Sequence, residues 1–144
     1  MPIQFYFTDI TVSLLERKRL KNFIKSIFDK KERHLNSLTI IFCSDEYLLD
    51  INKQFLQHDY YTDIITFNLS ENIQVIEGEI YISVDRVRDN AITNKVTVNQ
   101  ELHRVIFHGT LHLCGYLDKT IKAKKEMTKQ EDYSLEKYFS SSLY

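Results

Sequence analysis

Apolar residues along the chain follow two rhythms, one of period two and one near 3.6, and the changes between them mark out the elements. IQFYF at residues 3–7 mixes apolar and aromatic residues as a strand does, and SLLERKRLKNFIKSIFDKKE then takes helical spacing through Leu20, Ile24, Ile27 and Phe28. Ser13 with Glu16 has the form of a capping box at its start. SLTIIFCS, residues 37–44, is β-branched and apolar enough for a buried strand, and DEYLLDINKQFLQ predicts a helix with Leu48, Ile51 and Phe55 on one face. HDYYTD reads as a loop. ITF near residues 64–67 and EIYIS at 79–83 read as short strands separated by a polar segment that ends at Gly78, and VDRVRDNAITN as a short polar helix. Thr97 and Gln100 form a second capping box, after which ELHRVIFHGTLHLC runs without a breaker to Gly115, well placed for a left-handed cap. A last helix is expected from about Lys119 to Phe139.

This pattern predicts an α/β (α+β) fold: a small mixed β-sheet packed by helices, with a long apolar helix at its centre. At 144 residues, with three glycines, one proline and no internal repeat, one domain is expected over residues 1–144. Hydrophobic residues at 43% and charged residues at 27% exclude intrinsic disorder. Cys43 and Cys114 stand in no paired pattern, so neither a disulfide framework nor a zinc ribbon is indicated, and a reducing compartment is expected. No apolar run reaches the roughly 18 residues of a membrane span and the start lacks a signal-peptide pattern, which predicts a cytoplasmic protein with no membrane partner.

Net charge is −1, but it is unevenly spread. Residues 14–36 hold eight bases against three acids, whereas residues 37–118 hold twelve acids against five bases. The basic stretch is either a solvated helix face or a phosphate-contacting patch, in which Arg17, Lys18, Lys21 and Lys25 are the candidate contacts.

Candidate chemistry sits in the apolar helix. His108 and His112 are four residues apart, hence one turn up the same face and about 40° from eclipsed, so two imidazoles can reach one ion. Gly115 lets the chain turn, and Asp118 follows three residues later, a spacing that resembles the metzincin layout HExxHxxGxxH with a carboxylate as third ligand. Asp118 is either that ligand or the N-cap of the last helix. Two imidazoles and a carboxylate suit zinc, one ion per chain, and leave a fourth position for water; nickel could replace it after affinity purification. Gly109 stands where a zinc protease needs its glutamate, which disfavours peptidase chemistry. A helical glycine there implies close packing or room for a bulky substrate. Cys114 lies about 200° around the helix from His112 and reads as core, His103 is about 140° from His108, and His34 and His58 are isolated.

FHGTLHLCGYLDK resembles the HGxLHLxGYDH signature of the YbeY family, bacterial metal-dependent endoribonucleases linked to ribosomal RNA maturation and ribosome quality control. NKQFLQHDYYTDIITF is similar to that family's NxxYRxxDxPTDVLSF segment, GEIYIS to its GDIxIS strand, and Met127 with Glu131 to its MxxxE. Together these cover roughly residues 37–131. The resemblance implies a zinc-dependent endoribonuclease acting on single-stranded RNA, with ribosomal RNA and the small ribosomal subunit as partners. It places zinc ligands on His108 and His112, with Asp118 at the third histidine position. The family's arginine falls on Leu56; Thr62 and Asp63 keep its polar pair as site-lining candidates, His58 is the nearest cationic substitute, and Tyr60 could stack on a base. Two alternatives stay open: a ribosome assembly factor with a structural metal and weak or no nuclease activity, and a small-molecule metallohydrolase. The residues name no general base, and either water or the RNA 2'-hydroxyl could attack.

Overall fold

A computed structural model describes residues 2–140; Met1 and residues 141–144, the ends of the domain expected over 1–144, lie outside the described residues. In chain order the elements are β1 (Ile3–Phe7), α1 (Arg17–Lys30), β2 (His34–Cys43), α2 (Asp45–Leu56), β3 (Ile64–Asn68), β4 (Val75–Ser83), α3 (Val84–Asn94), α4 (Val98–Leu113) and α5 (Ile121–Ser140). The four strands form one sheet in the order β1-β2-β4-β3. β1, β2 and β4 run parallel, while β3 pairs antiparallel with β4. This is the mixed sheet that the sequence predicts. No described helix is long and apolar enough to cross a membrane.

Strand alternation divides the core. Leu38, Ile40 and Phe42 of β2, with Ile76, Ile80 and Ile82 of β4, face the main cluster, which draws on α1, α3, α4 and α5. On the other face Cys43 and Ile65 meet Leu48 and Ile51 of α2, with Phe67 and Tyr81 at the side. α4 is the central helix, as expected. Its Thr97–Gln100 capping box forms, both reciprocal bonds being present, and Leu102, Val105, Ile106, Phe107 and Leu111 are buried. Gly109 is explained by close packing: a Cβ would stand 2.9 Å from the Cδ1 atoms of Ile64 and Ile80. Gly109→Val should therefore destabilise the fold by about 1–3 kcal/mol through overpacking, read as a lower denaturant midpoint at unchanged slope.

Three local expectations need correction. The Ser13–Glu16 box does not form, because Glu16 adopts a left-handed conformation (φ 51°) and α1 starts at Arg17 with no side-chain cap. Leu14 is buried instead, and about 1.5–3 kcal/mol for such a side chain exceeds the roughly 1 kcal/mol of a cap. On α2 the buried stripe is Leu48, Ile51 and Asn52, whereas Phe55 is 66% exposed and sits edge-on to Phe67. Asn52 goes inward because its amide donates to the Tyr60 carbonyl at 2.9 Å and fixes the following loop. Gly78 ends no loop; it lies inside β4, where a Cβ would meet the Phe67 carbonyl at 3.0 Å and Leu113 at 3.2 Å.

Candidate functional site

α4 carries His108 and His112 half-buried, one turn apart, on the flank that faces β3 and α5. His108 is gripped from both sides: Nδ1 lies 2.5 Å from a Glu131 carboxylate oxygen and Nε2 lies 3.3 Å from Asp118 Oδ2. His112 Nδ1 lies 3.1 Å from the Tyr116 carbonyl. A carbonyl oxygen only accepts, so Nδ1 of His112 must carry the proton, which leaves the Nε2 lone pair open in the neutral ring. Glu131 imposes the same tautomer on His108. Imidazoles oriented at Nδ1 by a carboxylate or carbonyl, with Nε2 facing outward, have the preparation of metal ligands.

The turn after α4 supplies two of these partners. Gly115 takes φ 104°, a left-handed value costly for other residues, and with the Tyr116 N–H bonded to Leu111 O the chain folds back over the helix end. That places the Tyr116 carbonyl on His112 and the Asp118 carboxylate on His108. Thr120 caps α5, its hydroxyl accepting from the Ala123 N–H at 3.0 Å. The N-cap role open to Asp118 thus belongs to Thr120.

Behind His108 lies a charge network that sequence spacing did not suggest. Glu101 and Glu131 are almost fully buried, and Arg104 joins them, with contacts of 2.5 Å to Glu101 and 3.1 Å to Glu131. Asp63 approaches the same guanidinium at 3.9 Å. Hydrogen bonding to Glu101 pushes Arg104 up from its ordinary range, against the pull of burial. Burial raises the Asp63 carboxyl, although the Arg104 and His108 charges oppose it. For His108 burial pulls downward, yet the Glu131 hydrogen bond and the charges of Glu131, Asp118 and Asp63 outweigh it, and the imidazole is raised. The four carboxylates Asp63, Glu101, Asp118 and Glu131 gather about His108 and Arg104, with Lys119 and Lys124 on the flanking cavity walls, so acids still outnumber bases and a cation would be accommodated.

A cavity of about 310 Å³ opens beside the two histidines, lined among others by Asn52, Leu56, Tyr60, Ile64, Asp118 and Lys119. His58 and Thr62 stand on its wall; Asp63 does not, being turned to Arg104. Two donors at zinc-type bond lengths in a tetrahedron stand about 3.3–3.6 Å apart, and the His108–Asp118 separation of 3.3 Å matches. His112 shares the cavity, but among the described residues no group of three His, Cys, Asp and Glu side chains is gathered closely enough to hold an ion. The donor set therefore fits a metal in chemistry and tautomer, with one pair already at ligand spacing. His103 is no part of it: it is buried against Tyr138, with its Nδ1 on the Asn99 carbonyl, and burial lowers its pKa. Cys114 is buried, as expected of a core residue.

The basic candidates lie elsewhere. Arg17 and Lys21 of α1 sit over Phe7 and Phe5 of β1, and Lys25 pairs with Asp29. β1 and the cavity-lining β3 are opposite edges of the sheet, roughly 14 Å apart at strand spacing. The cation at the cavity is Lys119. Arg104 and the role of Glu131 were missed from sequence; the available signal was an acid one turn after buried Met127 on the inner stripe of α5.

Comparison with known proteins adds three findings. The family model described as Endoribonuclease YbeY matches residues 6–139. An Endoribonuclease YbeY of Cytophaga hutchinsonii is 51% identical over 133 residues, covering 92% of this chain and 93% of that protein, and one of Parabacteroides distasonis is 43% identical over 135 residues, with 94% of each covered. A Thermotoga maritima protein whose structure was solved in solution superposes with a TM-score of 0.66 at 29% identity, over 96% of this chain and 89% of that one.

Proposed function

Since the chain belongs to the YbeY family of endoribonucleases, we propose that it cleaves single-stranded RNA at a zinc ion held by His108, His112 and Asp118. On this reading it acts in the cytoplasm on ribosomal RNA, in its maturation and in ribosome quality control, in contact with the small ribosomal subunit. The observation that carries the proposal is the preparation of the two imidazoles: each Nδ1 is tied to a partner, and Asp118 stands at ligand spacing from His108. When bound, zinc would polarise a phosphoryl oxygen and acidify a water.

The remaining work falls to the chain. Glu131 and the Tyr116 carbonyl fix ring orientation, so no reorganisation is needed when the ion enters. Arg104 holds Glu131 in place by a charge-assisted hydrogen bond. Lys119 on the cavity wall supplies a positive charge for the RNA backbone, and Thr62 and His58 offer polar contacts there.

Asp118 variants test the ligand set. Asp118→His should keep one equivalent of metal, because imidazole is an equally good donor, whereas Asp118→Asn should weaken affinity about tenfold by removing the charge. Equal affinity of Asp118→Asn and wild type, by competition with a chelating dye, would remove Asp118 from the set. The chemistry of RNA product ends separates attack by water from attack by the 2'-hydroxyl. A metal-loaded protein that cleaves no RNA would instead favour the assembly-factor reading.

The α1 cations give an independent check. Reversing charge at Lys18, Lys21 and Lys25 should weaken RNA binding and make the plot of log affinity against log salt shallower, by about 0.7 for each phosphate that is no longer neutralised. An unchanged slope with the fold intact would make that face merely solvated.

A further inference from the structure

We propose that Tyr60, backed by His58, is a stacking platform that takes one unpaired nucleobase beside the ion site; the inference rests on the RNA-cleaving reading and names its base-contacting residues. The two rings are nearly parallel, 20° apart with centroids 5.1 Å apart, and the Tyr60 hydroxyl lies 2.9 Å from His58 Nδ1. Both residues line the cavity that holds His108, His112 and Asp118. His58 thereby holds the hydroxyl end of the Tyr60 ring, and the residue remains 56% exposed. Exposure alone is ordinary for a tyrosine; what sets Tyr60 apart is that it is fixed on the wall of the cavity that holds the ion-site residues.

The loop is built to hold this ring in place. Asn52, 1% exposed, donates to the Tyr60 carbonyl, and Lys53 pairs with Asp59 at 3.5 Å. Tyr61, next in sequence, is already engaged: its hydroxyl donates to Glu46 at 2.6 Å and Arg86 sits over its ring. Among the described residues, the Tyr60 ring has its aromatic and hydroxyl contacts with His58 alone. Leu56, 40% exposed, adds an aliphatic surface to the same cavity wall, so the region offers apolar area and a π-face where the ion site offers charge. That division matches a nucleotide, whose base is flat and apolar on its faces and whose phosphate is anionic. A base inside a duplex has both faces covered by its neighbours, so only unpaired RNA can present one to Tyr60.

The test compares a short single-stranded RNA with the same oligonucleotide made abasic at single positions, using metal-loaded protein. Wild type should bind the intact RNA about tenfold more tightly than the version abasic at one position near the cleaved bond. Tyr60→Ala should lose that difference by weakening only the intact RNA, whereas Tyr60→Phe should keep it. A 2-aminopurine at the sensitive position should be quenched by wild type and not by Tyr60→Ala. Tyr133→Ala, a comparably exposed tyrosine on α5, serves as the control and should behave as wild type. If wild type cleaves RNA but is indifferent to base removal at every position, or if Tyr60→Ala retains the discrimination, the platform is refuted while the nuclease reading stands. If wild type neither binds nor cleaves any RNA, both fail together.

Discussion

Changing His108 and His112 together to alanine should strip the protein of its transition metal and lower RNA cleavage by a thousandfold or more. The magnitude follows from chemistry: Lewis-acid stabilisation and an acidified water together contribute several kcal/mol, on the order of 10³ in rate. Loss of the fold does not follow, because neither ring is fully buried: the His108 side chain is 18% exposed and both residues lie on the cavity wall. The double variant also leaves Glu131 its bond to Arg104 at 3.1 Å, so no buried carboxylate is stranded. Elemental analysis after purification without an affinity tag, which keeps nickel out of the site, should show about one equivalent of zinc for wild type and none for the variant. Single-turnover cleavage and thermal unfolding complete the comparison. A variant that keeps a full equivalent of metal would overturn the assignment.

Glu131→Ala should act on both stability and ion binding. Glu131 is buried and is shared between His108 Nδ1 and Arg104. Its removal leaves an imidazole N–H without its partner and a half-buried guanidinium with less compensating charge, for a loss of about 3–5 kcal/mol. Zinc affinity should fall 10- to 100-fold, because His108 is then free to rotate and to change tautomer. Glu131→Gln separates the two effects. Its carbonyl can still accept from one neighbour, so stability should lie between wild type and Glu131→Ala, while affinity falls nearly as far as in the alanine variant for want of the negative charge. Denaturant unfolding of the metal-free proteins and competitive metal titration give the two numbers. A Glu131→Gln protein indistinguishable from wild type in both would mean that the carboxylate orients nothing.

What the sequence revealed and concealed follows from how local each signal is. The Thr97–Gln100 box and the unbroken apolar run of α4 lie within one stretch of chain, and both the helix and its two histidines were legible. So was the turn at Gly115, which needs only its own conformation. The Ser13–Glu16 pair has the same local signature as the true box, yet burial of Leu14 overrode it. Phe55 was misjudged because hydrophobicity predicts burial only on average, and Asn52 gained its inward place through a bond to Tyr60 eight residues away. The Arg104–Glu131 contact joins two helices across a turn, and no periodicity within either one encodes it. Asp118 left its N-cap reading open beside the favoured ligand one, and only the fold shows that Thr120 caps α5.

Every side chain assigned to the ion or to its support on α4 and α5, from Arg104 through His108, His112 and Asp118 to Glu131, lies on one helical hairpin, whereas Leu56 ends α2 and Tyr60 and Thr62 come from the loop between α2 and β3. Loop-closure entropy rises only with the logarithm of the intervening chain, so a hairpin this short brings its donors together at small entropic expense. The proposed ion donors and the proposed base-contacting residues thus come from separate segments of the chain, with Lys119 the hairpin's own candidate for a phosphate contact. Substitutions in the second can retune which RNA is chosen while the first stays as it is, and the hairpin offers a compact unit for transplanting the ion site into another scaffold.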